Sequence, residues 1–238
     1  MNDIAISVEN IYFSYGDTTA VNGISFEVKS GEIFGFLGPN GAGKSTTIKM
    51  LTGQLYPQKG SIYLMDRNTT NNIGNLNQYF GISFERTNLY EQMTAIENLK
   101  LFADLYGVKN FDPIDLLARV DLKDRGKDKV SNFSKGMKQR LMVARSLVNI
   151  PKILFLDEPT EGLDPTSADN IRKIILQERE RGATVFLTTH DMHEADVLSD
   201  RVAFINAGEI VALDTPHNLK QSYGKRAIKA QVKMTNGD

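Results

Sequence analysis

Residues 38–45 read Gly38-Pro39-Asn40-Gly41-Ala42-Gly43-Lys44-Ser45 and fit the pattern G-x-x-x-x-G-K-[ST]. The apolar run Ile33–Leu37 precedes them as an expected buried strand, and an expected helix from about Lys44 to Leu51 follows. In such a loop the glycines let backbone N–H groups point inward at an anion, and the helix N-terminus adds positive potential. Lys44 supplies a charge for the β- and γ-phosphates, and the Ser45 hydroxyl is a ligand for Mg²⁺. The stretch, extended by Thr46, therefore predicts a nucleoside-triphosphate site.

A second signal is the acidic pair Asp157 and Glu158, which follows an expected apolar strand at 153–156. Because the carboxyl ends of parallel strands meet at the ligand crevice, both carboxylates should lie beside the phosphate loop. Asp157 is then placed to hold Mg²⁺ through a water, and Glu158 is placed to orient or deprotonate an attacking water. An acidic pair alone more often marks a helix N-terminus, and the phosphate loop is what favours catalysis here.

The composition excludes several function classes. The 238 residues contain 28 Lys and Arg against 29 Asp and Glu, so there is no excess of positive charge that would indicate a nucleic-acid partner. The absence of cysteine excludes a disulfide scaffold, thiolate zinc sites and thiol catalysis. The longest apolar runs are far shorter than the roughly 20 residues of a bilayer span, and the N-terminus shows no signal peptide. We therefore expect a chain that does not cross a membrane by itself.

The remaining patterns predict an α/β fold with an inserted helical subdomain. Apolar residues alternate at 4, 6 and 8 and at 24, 26 and 28, which is typical of half-buried strands in an N-terminal antiparallel β subdomain. Residues from about 88 to 150 should be helical, with helix starts at Thr94-x-x-Glu97, at Asp112-Pro113 and at Ser134, the last helix reaching about Asn149. Strands and helices then alternate: a strand at 153–156, a helix from Asp164-Pro165 to Gly182, a strand at 185–189, a helix from about Asp191 and a hairpin at 202–213. This order predicts a mixed sheet flanked by helices.

Taken in order, these motifs resemble one family. The chain is similar, over about residues 4 to 220, to the nucleotide-binding subunit of an ATP-binding cassette (ABC) transporter. Three further segments resemble the family's signature sequence, D-loop and H-loop: Phe133-Ser134-Lys135-Gly136-Met137-Lys138-Gln139-Arg140, Glu161-Gly162-Leu163-Asp164 and Thr188-Thr189-His190. Tyr15 sits where the family has an aromatic residue that stacks on adenine. The resemblance implies a P-loop NTPase core that binds ATP and Mg²⁺, with Glu158 and His190 as catalytic residues.

Each motif also has a plainer interpretation. His190 follows an expected strand, and the resemblance gives it a hydrogen bond to the γ-phosphate, although a lone histidine is more often structural. Tyr15 could be an ordinary strand aromatic. Ser134 reads as a helix cap with Gly136 two residues on, which leaves free N–H groups at the positive end of a helix and creates a second anion site.

The second anion site has a consequence for the partners that the resemblance implies. In the family, two subunits form a head-to-tail dimer in which ATP lies between the phosphate loop of one and the signature helix of the other. The resemblance therefore implies that Ser134 and Gly136 bind ATP held by a second copy or by a homologous ATPase subunit. An ordinary helix cap remains the alternative for Ser134.

The sequence departs from the family pattern at three positions. Glu85 stands where the family usually has a glutamine that senses the γ-phosphate through Mg²⁺, and a carboxylate can still ligate the metal while adding negative charge. Lys135 replaces a usual glycine and Met137 a usual glutamine. A lysine at a helix N-terminus opposes the dipole, but a docked triphosphate would favour it.

The most favoured function is an ATP-hydrolysing subunit of an ABC transporter. It would lie on the cytoplasmic side of the cell membrane, bound to a separate transmembrane permease. The short, single cassette resembles exporters of drugs, antibiotics or lipids of the ABC-2 type. Two alternatives remain open: a soluble ABC-type ATPase of repair, translation or cofactor assembly, and a regulator that binds nucleotide without turnover, against which Glu158 argues.

The C-terminal residues carry one more pattern. Apolar residues alternate at 228, 230, 232 and 234, and the hairpin-turn signal Asn236-Gly237 follows. We expect residues 1–220 to form the ATPase domain and 221–238 to begin a C-terminal extension of a longer protein. A frayed natural C-terminus is the alternative.

Overall fold

Two β-sheets form the framework of residues 4–71 and 73–223, the part of the chain that the computed structural model describes. The strands are β1 (Ile4–Tyr15), β2 (Thr18–Lys29), β3 (Ile33–Leu37), β4 (Lys59–Leu64), β5 (Arg67–Asn68), β6 (Phe80–Ser83), β7 (Ile153–Asp157), β8 (Thr184–Thr189), β9 (Arg201–Asn206) and β10 (Glu209–Asp214). The helices are α1 (Lys44–Leu51), α2 (Ala95–Tyr106), α3 (Pro113–Arg119), α4 (Lys135–Ser146), α5 (Pro165–Glu180), α6 (Met192–Leu198) and α7 (Pro216–Tyr223). The alternating segment predicted at 225–234 lies outside the described residues.

The sheet topology confirms the predicted fold class. The larger sheet has the order β10-β9-β3-β8-β7-β6, in which β10 alone runs antiparallel, and the smaller antiparallel sheet has the order β2-β1-β4-β5. The hairpin between β9 and β10 turns at Ala207 and Gly208, whose φ values of 48° and 81° suit a two-residue turn. Strands β4 and β5, which complete the smaller sheet, are absent from the strands predicted above.

Phenylalanine side chains join the two sheets. Phe26 of β2 stacks on Phe34 of β3 and Phe186 of β8, with ring centroids 5.5 and 5.8 Å apart. Burying a ring of this kind stabilises the fold by roughly 2–3 kcal/mol. The contact fixes β3 and β8, the two strands that lead into the phosphate loop and into His190.

Caps start the helices of the middle region as the sequence predicts. The Thr94 hydroxyl accepts a hydrogen bond from the Glu97 N–H, while the Glu97 carboxylate accepts one from the Thr94 N–H, which completes the capping box of α2. Asp112 caps α3 and Ser134 caps α4. These caps satisfy backbone donors that the first helical turn leaves unpaired.

Helix α4 ends earlier than predicted. Its last residue is Ser146 rather than Asn149, and the chain turns at Ile150, which has a φ of 50° and precedes Pro151. After Ser146 the backbone continues in tighter turns, in which the N–H groups of Leu147, Val148 and Ile150 each bond to the carbonyl oxygen three residues earlier. Apolar residues of α2, α3 and α4 share one core with the face of the larger sheet opposite the phenylalanines.

The parallel strands bring distant segments to one edge of the larger sheet. Leu37 at the end of β3 pairs with Thr189 at the end of β8, and Asp157 of β7 pairs with Thr188. The phosphate loop, the acidic pair and His190 therefore follow neighbouring strand ends, as parallel pairing predicts. Among the described residues, the helices are all too short or too polar to span a bilayer.

Candidate nucleotide-binding site

The phosphate loop has a conformation that only glycine accommodates at key positions. Gly41 and Gly43 have φ values of 80° and 110°, and a Cβ on Gly43 would lie 2.4 Å from the carbonyl oxygen of Ala20. A Cβ on Gly38 would lie 2.3 Å from the carbonyl oxygen of Ile205. The loop leads into α1, whose first turn contains no acidic residue. The positive end of the helix is therefore left for an anion.

A cleft of about 490 Å³ opens above this loop. Its size is that of a small-molecule site. The predicted site residues on its wall are Tyr15, Asn40, Gly41, Gly43, Lys44, Ser45, Thr46, Glu85 and Glu158. Gly38, Pro39 and Ala42 belong to the loop but do not line the cleft.

Tyr15 stands at one wall of the cleft. Its side chain is 49% exposed, and its ring meets Phe13 edge-on with the centroids 4.9 Å apart. The ring is thus supported from one side and open to the cleft. An exposed aromatic face of this kind can stack on a purine base.

Lys44 is folded back into the site. Its buried ammonium donates hydrogen bonds to the carbonyl oxygens of Gly38 (2.8 Å) and Pro39 (3.3 Å). It also lies 3.0 Å from Oε1 of Glu158, which is buried as well. The positive charge of Lys44 is therefore compensated by two carbonyl oxygens and one carboxylate. A phosphate group in the cleft could take the place of these oxygens as its partner.

Asp157 lies beneath the loop in a network of hydroxyl groups. Its Oδ1 accepts hydrogen bonds from Ser45 Oγ (3.3 Å) and Thr188 Oγ1 (2.6 Å). Burial raises the pKa of Asp157, the two hydroxyl bonds oppose that rise, and the negative charges of Glu85 and Glu158 add to it. The rise in the pKa of Asp157 is thus mainly an effect of burial, with a smaller contribution from the two neighbouring carboxylates.

The oxygens at this point suit a hard cation. Ser45 contributes a hydroxyl, Asp157 a carboxylate, and Glu85 an exposed carboxylate on the same cleft wall. Oxygen ligands of this kind are those that Mg²⁺ prefers. Residues 4–71 and 73–223 contain no group of three histidine or acidic side chains that could hold a metal ion, and the set here has only two carboxylates beside the Ser45 hydroxyl. The chemistry of these three oxygen donors therefore suits Mg²⁺.

Glu158 adopts a strained backbone conformation. Its φ is 49°, in the left-handed region, and its N–H donates to the hydroxyl and carbonyl oxygens of Thr188 at 3.1 and 3.2 Å. Its Oε2 lies 3.0 Å from Nδ1 of His190 and accepts a hydrogen bond from the His190 N–H at 3.3 Å. Glu158 thus links Lys44 on one side to His190 on the other.

Ser134 and Gly136 are not brought into this cleft. Ser134 caps α4, its hydroxyl accepting a hydrogen bond from the Met137 N–H at 3.2 Å. The ammonium of the neighbouring Lys135 lies against Gly162, 2.6 Å from where a Cβ would be. Within one chain, the second anion site and the phosphate loop are therefore separate.

Sequence reasoning missed one residue that holds the site together. Thr188 is completely buried and bonds to both members of the acidic pair. Its place in the Thr-Thr-His segment was recognised, but its role depends on pairing β8 with β7 at Asp157. Ala20 and Glu161 also line the cleft, and no sequence signal singles out Ala20.

Comparisons with known proteins agree with this geometry. The family model described as ABC transporter matches residues 21–161. A fluoroquinolones export ATP-binding protein of Mycobacterium tuberculosis strain H37Rv is 47% identical over 98% of this chain and 78% of that protein. A linearmycin resistance ATP-binding protein of Bacillus subtilis strain 168 is 40% identical over 94% of this chain and 73% of that protein.

Solved structures show the same relationship. An ATP-binding subunit of an ABC transporter matches with a TM-score of 0.82 and 28% identity, covering 92% of this chain and 93% of its own. A dimeric ATP-binding cassette with bound ADP and phosphate matches with a TM-score of 0.81 and 25% identity, covering 89% and 98%. Nothing in these relatives favours the soluble, non-transport alternative. The chain therefore belongs to the ABC transporter family and is an ATP-binding, ATP-hydrolysing subunit of a transporter.

Proposed function

We propose that this subunit powers export of a drug, antibiotic or lipid-like substrate through a separate transmembrane permease, to which it binds on the cytoplasmic face of the membrane. The names of its relatives, which concern fluoroquinolone export and linearmycin resistance, support export of this class. The observation that carries the catalytic part is that the Glu158 carboxylate contacts both Lys44 and His190, at 3.0 Å each.

The residues of the cleft divide the chemistry among them. Tyr15 stacks on the adenine, and the loop N–H groups with Lys44 bind the phosphates. When the γ-phosphate takes the ammonium of Lys44, the Glu158 carboxylate is freed to orient a water and accept its proton. His190, released from the same carboxylate, donates a hydrogen bond to the phosphate oxygens as negative charge develops.

Ser45, Asp157 and Glu85 hold Mg²⁺ in this proposal. When bound, the ion neutralises charge on the phosphate oxygens. Thr188 keeps Asp157 aimed at Ser45 through its 2.6 Å hydrogen bond. Glu85 sets how much negative charge surrounds that point, since its carboxylate already raises the pKa of Asp157.

A head-to-tail dimer completes each site in this proposal, with a second copy or with a homologous subunit. Ser134 and Gly136 lie outside the cleft of their own chain, so their free N–H groups can reach only a nucleotide held by another chain. The first turn of α4 contains no acidic residue, which keeps its positive end available to phosphate. Lys135 adds a further positive charge there.

The permease docks, we propose, in a second cleft, which has a volume of about 730 Å³. Edge strand β6 and helix α2 form its walls, with apolar side chains from both, and Leu105 of α2 is 69% exposed. Strand β6 leads directly toward Glu85, so movement in this cleft can be transmitted to the nucleotide. Polar side chains such as Gln54, Asn77 and Gln78 also line the cleft, so it can offer a partner both apolar contact and hydrogen bonds.

The docking proposal has a direct test. Leu105→Glu should release the subunit from native membranes into the supernatant, while Val211→Glu, at a similarly exposed (52%) residue on β10, should leave it bound. Because the chain has no cysteine, Leu105→Cys also provides a single thiol for crosslinking to a polytopic membrane protein. Equal membrane binding by Leu105→Glu and the parent would contradict this docking site.

A further inference from the structure

Glu194 is a buried acid that the chemistry above does not use. It lies in the first turn of α6, and only 1% of its surface is exposed. An ionised carboxylate is costly to bury unless hydrogen bonds and opposite charge compensate it. The partners of this carboxylate therefore indicate why it is present.

Those partners come from both catalytic segments. The hydroxyl of Thr160, two residues after Glu158, donates to Oε1 of Glu194 at 2.5 Å. The hydroxyl of Thr189, the residue before His190, also stabilises this carboxylate and opposes the rise of its pKa. The Thr189 oxygen accepts from the Asp191 N–H at 3.0 Å, which leaves its proton free to point at Glu194.

Helix α5 supplies the compensating charge. The guanidinium of Arg172 acts on Glu194 electrostatically, and its Nε is buried without a hydrogen-bond partner. Glu194 thus sits where the loop after Glu158, the end of β8 and helix α5 converge. An ionised carboxylate only accepts, through two oxygens, whereas an amide of the same size has one accepting oxygen and presents a donating NH₂ group in place of the other.

We infer that Glu194 is a positioning residue for ATP hydrolysis. Its carboxylate fixes the segment after Glu158 and the segment before His190 in one arrangement, so that the two side chains face the γ-phosphate together. The inference rests on the proposed roles of Glu158 and His190. Displacing either segment by a fraction of an ångström would misdirect the water or the histidine without removing any group that binds ATP.

A double-mutant cycle between Glu194 and Thr160 tests the link. Glu194→Gln and Thr160→Val should each lower kcat about tenfold and leave the Kd for ATP, measured by nucleotide titration, within about twofold of the parent. Because both changes break the same link, the double variant should lose no more than the larger single loss. Thr160→Ser, which keeps the hydroxyl, should recover the activity lost in Thr160→Val.

Glu178 provides the matched control. It is another buried glutamate, only 2% exposed, on helix α5. Its ion-pair partners are Arg119 and Arg181, and none of the three lines the nucleotide cleft. Glu178→Gln should lower the thermal unfolding midpoint without changing kcat. An equal loss of kcat in Glu178→Gln would overturn the inference, because any buried carboxylate would then suffice.

Three other results would also overturn it. These are a parental kcat in Glu194→Gln, losses that multiply in the double variant, and a parental kcat in Thr160→Val. The last result decides the matter even if Glu194→Gln does not fold. Failure of the proposed chemistry is recognised separately, since Glu158→Gln would then retain turnover whatever Glu194 does.

Discussion

The ammonium of Lys44 and the carboxylate of Glu158 lie 3.0 Å apart, both buried, and they form an ion pair across the nucleotide cleft. The group that should bind the phosphates thus neutralises the group that should activate water. In the proposed mechanism, a triphosphate competes with Glu158 for Lys44. Binding of the phosphates and release of the Glu158 carboxylate are then coupled through this one ion pair.

Glu158→Gln should abolish turnover and retain ATP binding. We expect kcat to fall by about 10²-fold or more, because a general base is lost. ATP should bind at least as tightly as in the parent, since no ion pair with Lys44 has to be broken, and an ATP-bound dimer should accumulate in solution scattering. Hydrolysis at the parental rate would show that Glu158 is not the base.

Glu85→Gln should retain ATPase activity and change its Mg²⁺ dependence. Removing this carboxylate takes away one of the negative charges that raise the pKa of Asp157 and one oxygen ligand from the proposed metal site. ATPase activity measured across a Mg²⁺ titration should therefore show a shifted midpoint. Superimposable titrations for the two proteins would count against a metal role for Glu85.

Lys135→Gly should weaken ATP-driven dimerisation, and more strongly at low salt. The Lys135 ammonium lies against Gly162 and adds positive charge beside the signature helix. Screening reduces such attraction beyond about 10 Å at 0.1 M salt, so light scattering with ATP should show the largest deficit in dilute buffer. Lys138→Gly is the control, because Lys138 already pairs with Glu91. Equal dimerisation of the Lys135 variant and the parent at every salt concentration would exclude this role.

Gly43→Ala should abolish ATP binding and destabilise the fold. The new Cβ would lie 2.4 Å from the Ala20 carbonyl oxygen at a φ of 110°, so the loop must shift, at a cost of about 1–3 kcal/mol. Gly31→Ala is the control, because Gly31 also has a positive φ (77°) but open space around it. Nucleotide titration and thermal unfolding should show a normal Kd and a smaller stability loss for Gly31→Ala.

Glu194 should also make stability depend on pH. Burial raises the pKa of Glu194 above its ordinary value of 4.5, and Asp191 adds to the rise, while the hydroxyls of Thr160 and Thr189 and the charge of Arg172 oppose it. The protonated carboxyl of Glu194 is therefore favoured more in the folded state than in the unfolded state. The stability that this protonation contributes is fully present below pH 4.5 and is lost as the pH rises through the pKa of Glu194 in the folded state.

The comparison is with Glu194→Gln, which cannot ionise. In thermal unfolding measured from pH 4 upward, the midpoint of the parent should fall relative to that of Glu194→Gln as the pH rises. A constant difference between the two proteins would mean that the carboxylate titrates alike in the folded and unfolded states. Turnover should remain low in the variant throughout, which separates its effect on catalysis from its effect on stability.

Local patterns made much of this molecule predictable. The strand, glycine loop and helix around Lys44, the capping box at Thr94 and the hairpin at Ala207 and Gly208 each depend on residues close in sequence. Backbone conformation in such segments is set by neighbours within a turn or two. The prediction for the end of α4 was three residues too long, because apolar residues continue at Leu147 and Val148 while the backbone there already forms tighter turns.

Contacts between distant segments could not be predicted in this way. Thr188 and Asp157 are 31 residues apart, and Thr160 and Glu194 are 34 apart, so their hydrogen bonds exist only once β7 and β8 have paired and α6 has docked. The contact of Lys135 with Gly162 is of the same kind. No spacing rule relates these residues, and their roles follow from packing alone.

The left-handed backbone at Glu158 has a consequence for redesign. The side chain there is aimed by the main chain and by the clamp of Thr188, so a different functional group placed at that position would inherit the same direction. The backbone at position 158 thus sets the direction of the side chain independently of its chemical identity. A substitution at position 158 could therefore change the chemistry of the site while the surrounding residues stay unchanged.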